Sequence, residues 1–276
     1  MGKLSLGIDI GTTNVKACIL DTEKNRVVAS GSQEHPLFHP RPGYAEQEGD
    51  NYWKAVVSAI RQCLSQGNFA NDIEGVGLSG LVGVMLPIND SGRPIRPGMI
   101  WMDARADEQC QEIRERVGEA TINHINGNRI ANWFIEPKAL WMKKYEPENF
   151  EKTNKLLSPS GYCTYRLSEQ YSINTGDAGL FYPYDYQKEK WNPEIAERIG
   201  VPMEKYAKIY RSHEIVGEVT TEAAEETGLK KGTLVVAGGT DISSAALGCG
   251  VTKAGQAYYS MAVSYTHLTL PTNREV

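Results

Sequence analysis

Three aspartates and one arginine stand where side chains of their kind do chemistry. Asp9 sits near the end of an alternating apolar run, Leu4 to Ile10, and is followed by Gly11-Thr12-Thr13 and a second run through Val15, Ala17 and Ile19. Glycine at 11 removes the Cβ and lets a phosphate approach the amides of the turn. Thr12 and Thr13 add hydroxyl donors, and Lys16 adds charge if it faces the same way. Asp9, at a strand end, is an acceptor for a metal-bound water or a polar hydrogen. The same residues also suit a tight hairpin turn with no ligand.

Asp103 and Arg105, in the stretch WMDAR, are two apart and share a face in extended chain. A carboxylate beside a guanidinium suits a polyhydroxylated ligand, the one accepting from hydroxyls and the other donating. A surface ion pair heading the next helix is the competing reading. Asp241, in GGTD, again ends an apolar strand. It is placed to take a proton from an attacking hydroxyl, or to cap a helix over 242–247.

The elements that must hold these residues follow from periodicity. Two alternating runs and a third over Arg26–Ser30 predict an antiparallel start to a mixed sheet. Asp50 is placed to cap a helix whose Trp53, Val56, Val57, Ile60, Cys63 and Leu64 fall on one face. Ile73, Val76 and Leu78 form the next strand, which ends in Ser79-Gly80; a further apolar stretch, Val84 to Ile88, closes in the turn Asn89–Gly92. Helices are predicted over 107–117 and 137–144, a buried strand over 233–237 and another strand over 256–261. Strands alternating with helices from residue 50 onward make the class α/β.

Composition narrows the function. A net charge of -5 argues against a nucleic-acid surface. No window approaches the roughly 18–20 apolar residues of a membrane span, and the chain enters a strand pattern at once, without a leader. The five cysteines are scattered and form no CxxC or Cys/His cluster, so they read as reduced thiols of a cytoplasmic protein.

Taken together, DIGTTNVKACILD, GYAEQEGDNYW, GLSG, WMDARA, KALWMKKYEPE and AGGTDISSAALGCG resemble, in order and spacing, the FGGY family of carbohydrate kinases. The resemblance runs from about Leu4 to Met261. It implies an RNase H-like fold of the actin/hexokinase type, with two domains around a cleft. It implies ATP and Mg²⁺ as cofactors and a sugar, sugar acid or polyol as the phosphate acceptor. By resemblance Asp9, Gly11, Thr12, Thr13 and Lys16 are the first phosphate loop, with Asp9 towards Mg²⁺ through water. Gly80, Asp103 and Arg105 are then substrate residues and Asp241 is the catalytic base. A homodimer is open to the full-length parent. Another actin-fold ATPase, such as a heat-shock chaperone or a dehydratase activator, and a non-catalytic sugar-binding module are the alternatives.

Two departures stand out. In xylulokinase-like members Ser-Gly continues Gln-Met-His-Gly, whereas here Leu81-Val-Gly-Val84 follows, so Met and His are missing at 82 and 83. That argues against D-xylulose and leaves a pentulose, hexulose, polyol or aldonate. A second phosphate loop, Met-Gly-Thr-Ser, is expected after AYYS, but Met261-Ala-Val-Ser264 stands there. The run VSYTHLTLPTNREV resembles a translated sequencing adapter. The expected organisation is a sugar-binding domain over 1–238, the start of a truncated ATPase domain over 239–262, and an artefactual tail over 263–276. A chain so truncated is expected to be inactive.

Overall fold

Alternation at period two builds the sheet from its first strand. The computed structural model describes residues 3–259. Leu4–Ile10 (β1) buries Leu4, Leu6, Ile8 and Ile10 on one face and turns Ser5, Gly7 and Asp9 to the other. Asn14–Asp21 (β2) returns antiparallel and sets Lys16 opposite Asp9. Arg26–Glu34 (β3) completes the meander. It runs beyond the expected end at Ser30 because Gly31–Glu34 continue the ladder against Asn14–Ala17.

The helix Gly49–Leu64 (α1) crosses over to Ile73–Gly80 (β4), which lies parallel to β1 and beside it. Tyr52, Trp53, Val56, Ala59, Ile60 and Cys63 form the buried stripe of α1, which packs on β2 and β3. Asp50 does not cap this helix as expected. Glu48 holds the N-cap position without a side-chain bond, and Asp50 lies inside the first turn, where it accepts from Tyr162 Oη at 3.0 Å. A carboxylate there still meets the positive end of the helix dipole.

After β4 come the helices Asp107–Arg116 (α2), Ile135–Tyr145 (α3) and Pro159–Ser168 (α4). The short strand Ser172–Asn174 (β5), the single turn Thr175–Ala178 (α5) and Lys208–Tyr210 (β6), parallel to β5, follow. Ile215–Glu218 (β7), Thr221–Thr227 (α6) and Leu234–Val236 (β8) then return to the sheet. The order across it is β7-β8-β4-β1-β2-β3. Gly239–Thr240 (β9) also pairs with β4, and Asp241–Gly248 (α7) begins at once. α1, α4 and α6 contact one another.

The chain divides after Asp241 into two compact units. In the second, Tyr258 Oη donates to the Ile242 carbonyl at 2.8 Å. Among the described residues 256–259 are not in a strand, contrary to the expectation for 256–261. The rest of that run, the position of the expected second phosphate loop and the adapter-like tail lie outside the described residues.

The step from β8 to β9 depends on Gly238. Its φ is +73°, and a Cβ there would fall 1.8 Å from the Leu78 carbonyl oxygen. Gly238→Ala is therefore expected to cost about 3–5 kcal/mol. Chemical denaturation measures this, and unchanged stability would contradict the path drawn for the chain.

Candidate active site

Three parallel strands, β1, β4 and β9, end together. Asp9 lies beside Ser79 and Ser79 beside Gly239; one step on, Ile10, Gly80 and Thr240 are level. The loops leaving these strands therefore gather Gly11–Thr13, Gly80 and Asp241 at one edge of the sheet. Carboxyl ends of parallel strands are the usual ligand edge of α/β folds.

The first loop is braced from behind. Gly11 N–H donates to the Asn14 carbonyl at 3.0 Å, closing the turn. His35 Nε2 meets the Gly11 carbonyl at 2.9 Å, Gln47 Nε2 donates to Thr12 O at 2.6 Å, and His35 N–H reaches Thr13 O at 3.1 Å. All three loop carbonyls are engaged. Burial lowers the His35 pKa, which favours the neutral ring. Nε2–H then donates to Gly11, and Nδ1 accepts from Gln47 Nε2 at 3.1 Å. Tyr52 Oη fixes Gln47 in turn, at 2.6 Å from Oε1.

Asp9 is half-buried and accepts from Ser79 Oγ at 2.8 Å. Lys16, exposed and opposite Asp9 in register, shares its face of the sheet. The expected group thus assembles around Asp9: loop, lysine and Gly80 on adjoining strands. Asp241 joins them as the first residue of α7.

Asp103 and Arg105 are neighbours, as their spacing implies, but they bind each other. Arg105 Nε and Nη2 donate to Asp103 Oδ1 and Oδ2 at 2.8 and 2.6 Å. Asp103 Oδ2 also accepts from Ala45 N–H at 2.7 Å, and Arg105 Nη2 bridges to Glu46 at 2.7 Å. The guanidinium lies 3.7 Å from the Tyr44 ring centre and 4.9 Å from that of Trp141. Their side chains are 0% and 2% exposed, so this is a buried pair rather than a surface one. It shapes the turn that carries Trp101, whose Nε1 lies 3.5 Å from Thr12 Oγ1.

A second buried cation holds the same region. Lys138 Nζ donates to the carbonyls of Gly83, Ile100 and Trp133 at 2.5, 2.9 and 3.1 Å. Burial pulls its pKa down to about 7, and the charge of Asp103 opposes that. Gly83 has φ +69°, and a Cβ there would come 2.9 Å from the Trp133 carbonyl and 3.1 Å from Trp101 Cβ. Position 83 is therefore closed to a histidine.

Behind Gly80 lies a buried carboxylate. Asp177 Oδ2 accepts from Ser158, Ser160 and Asn174 at 2.7, 2.7 and 2.9 Å. Burial pushes its pKa up to about 6 against the pull of these donors, and the charge of Asp241 adds to the rise. His35, Gln47, Ser79, Lys138 and Asp177 are thus site-supporting residues that the sequence did not single out. Gln47, Ser79 and Lys138 lie inside the quoted motifs; nothing in the sequence pointed to Asp177.

Residues 4–248 match the N-terminal domain of the FGGY family of carbohydrate kinases. The chain belongs to that family. It is similar to xylulose kinase of Bacillus subtilis, at 30% identity over 99% of this chain and 54% of that protein. Against xylulose kinase of Escherichia coli the identity is 29%, over 94% of this chain and 52% of that one. Among solved structures, xylulose kinase from Rhodospirillum rubrum superposes with a TM-score of 0.86 at 24% identity, over 92% of this chain and 52% of that one. The fold is thus RNase H-like, as in other FGGY kinases, and its mixed sheet is the expected one. The chain spans about half the length of the relatives it matches. No helix among the described residues is long and apolar enough to cross a membrane.

Two predictions follow from the buried charges of this FGGY domain. Arg105→Ala leaves the buried Asp103 without its cation and Glu46 with Arg96 alone, and is expected to cost about 3–5 kcal/mol of stability, read by chemical denaturation. Asp177 has a folded pKa raised to about 6 from an ordinary 3.8. Its stabilising contribution is complete below the lower value and is lost as pH rises through the upper. Relative to Asp177→Asn, the unmodified protein should lose on the order of 3 kcal/mol across that window. Parallel pH profiles for the two proteins would refute it.

Proposed function

We propose that this domain binds a sugar hydroxyl for phosphorylation by ATP, as part of a carbohydrate kinase. The observation that carries the reading is the common end of β1, β4 and β9, which brings Asp9, Gly11–Thr13, Gly80 and Asp241 to one edge. The family match favours this over a chaperone-type ATPase, a dehydratase activator or a non-catalytic module.

In this reading Gly11–Thr13 and Lys16 receive phosphate oxygens, and the engaged loop carbonyls keep the turn in shape. Mg²⁺ fits the oxygen donor at Asp9, a half-buried carboxylate steadied by Ser79, and would neutralise phosphate charge there. Asp241 takes the proton of the acceptor hydroxyl as its oxygen bonds to the γ-phosphorus. The bond from that phosphorus to the bridging oxygen breaks, and ADP leaves. Transfer of this kind is governed by positioning and charge stabilisation. Asp103, Arg105 and Gly80 shape the sugar side, the first two by holding Trp101 and its turn. A cytoplasmic setting goes with the reading.

The acceptor is a pentulose, hexulose, polyol or aldonate. With position 83 closed, a histidine contact to a hydroxyl has no room. Calorimetry of the protein against D-xylulose, a ketohexose, a pentitol and an aldonate is expected to find a ligand among them; no binding by any would sink the sugar reading. For the base, residues 4–248 can replace the matching half of the Bacillus subtilis xylulose kinase. Asp241→Ala in that chimera is expected to lower kcat by ~10³-fold while sugar still binds. Turnover equal to the unsubstituted chimera would overturn the assignment of Asp241.

A further inference from the structure

Asp177 is 1% exposed, and it lies against the catalytic edge rather than in the body of the core. It belongs to α5, which touches β5, β6 and β9. The turn is capped by Asn174, whose Oδ1 accepts from Asp177 N–H at 2.8 Å. Gly176 of the same turn is so close to β9 that a Cβ there would fall 2.9 Å from Thr240 Cγ2. Ser160, which donates to Asp177, also backs Gly80: a Cβ on Gly80 would lie 3.3 Å from Ser160 Cβ. The carboxylate therefore sits directly behind the ends of β4 and β9, and Asp241 is the next residue after Thr240.

The distribution of its hydrogen bonds is uneven. Ser158, Ser160 and Asn174 all donate to Oδ2, and Oδ1 is buried without a hydrogen-bond partner. A carboxylate serving only to tie the turn would gain by sharing donors between both oxygens, because an unmet buried acceptor is costly. Held this way, it keeps negative charge that is met at Oδ2 alone beside the strand ends. The groups that face it are Ser158 at the start of α4, Ser160 within α4, Asn174 at the end of β5 and Asp241 at the start of α7. On β6, Lys208 is exposed, with its ammonium 4.5 Å from the Tyr210 ring centre.

We propose that Asp177 is a positioning residue for Asp241: it seats the Gly239–Thr240 strand end through α5, and its buried negative charge strengthens Asp241 as a proton acceptor. The inference rests on Asp241 being the base. Coupling between two carboxylates is mutual, so a field that Asp241 exerts on Asp177 is returned in full. Burial places the ionisation of Asp177 at about 6, so the charge is present at neutral pH. Asp241 is then a stronger base above that pH than below it.

The test reads the carboxylates themselves. Aspartate carboxyl carbons of the protein are labelled with ¹³C and followed by NMR through the acid and neutral range. In Asp177→Asn the titration midpoint of Asp241 is expected to fall; in Asp241→Asn that of Asp177 is expected to fall by the same amount. Ser160→Ala, which removes a donor without touching charge, should raise the Asp177 midpoint. An Asp241 curve that superposes on the unsubstituted one in Asp177→Asn overturns the proposal. If circular dichroism shows that variant unfolded, Asp241→Asn decides alone, and an unmoved Asp177 midpoint overturns it equally. Failure of the base assignment is separate: it would appear as full turnover of the Asp241→Ala chimera and would leave the NMR coupling in place.

Discussion

The site depends on one constraint, the register between β1, β4 and β9. Parallel ladders hold neighbouring strands level only if the hydrogen-bond pairs are kept, and here Asp9, Ser79 and Gly239 are kept level. A slip of one residue would turn Asp9 into the core and put Ile10 in its place. The alternating burial of β1 forbids this, because Leu4, Leu6, Ile8 and Ile10 would all have to leave the core together. Hydrophobic burial at one face thus fixes where a carboxylate stands on the other.

Around that frame most of the supporting polar groups are buried, and several of them serve backbone. His35 and Gln47 hold the carbonyls of the first loop, Lys138 holds three carbonyls on segments distant in sequence, Asn174 caps the turn α5, and Asp177 gathers the side chains of Ser158, Ser160 and Asn174. Arg105 and Asp103 do the same for the turn at Trp101. Breaking such a group leaves its partners unmet in a low-dielectric interior, which makes the arrangement rigid. Rigidity of this kind suits a reaction whose rate is set by placement.

Much of this was legible in the residues. Period-two alternation marked β1, β2 and β4, and the apolar stripe marked α1, because both patterns are local. The motifs placed Asp9, Gly80 and Asp241 at strand ends, where the structure also has them. Less legible was anything decided by tertiary partners. Asp103 and Arg105 two apart could serve a ligand or each other, and only the approach of Ala45, Glu46, Tyr44 and Trp141 buries them as a pair. Asp50 reads as a cap until Tyr162 arrives from α4. Asp177 lies in a stretch without periodicity, and its neighbours Ser158 and Ser160 come from another element.

Gly83 has a bearing on the order in which substitutions around it can occur. The left-handed backbone there, the Trp133 carbonyl and Trp101 Cβ together leave no space for a side chain. The same Trp133 carbonyl is one of the three acceptors of Lys138. A new polar contact at position 83 therefore cannot be acquired by one substitution; the 133 segment must move first, and Lys138 must give up a bond to let it. The order of the steps is imposed by packing. A chain that acquires a side chain at 83 before the 133 segment has moved is therefore the less stable one.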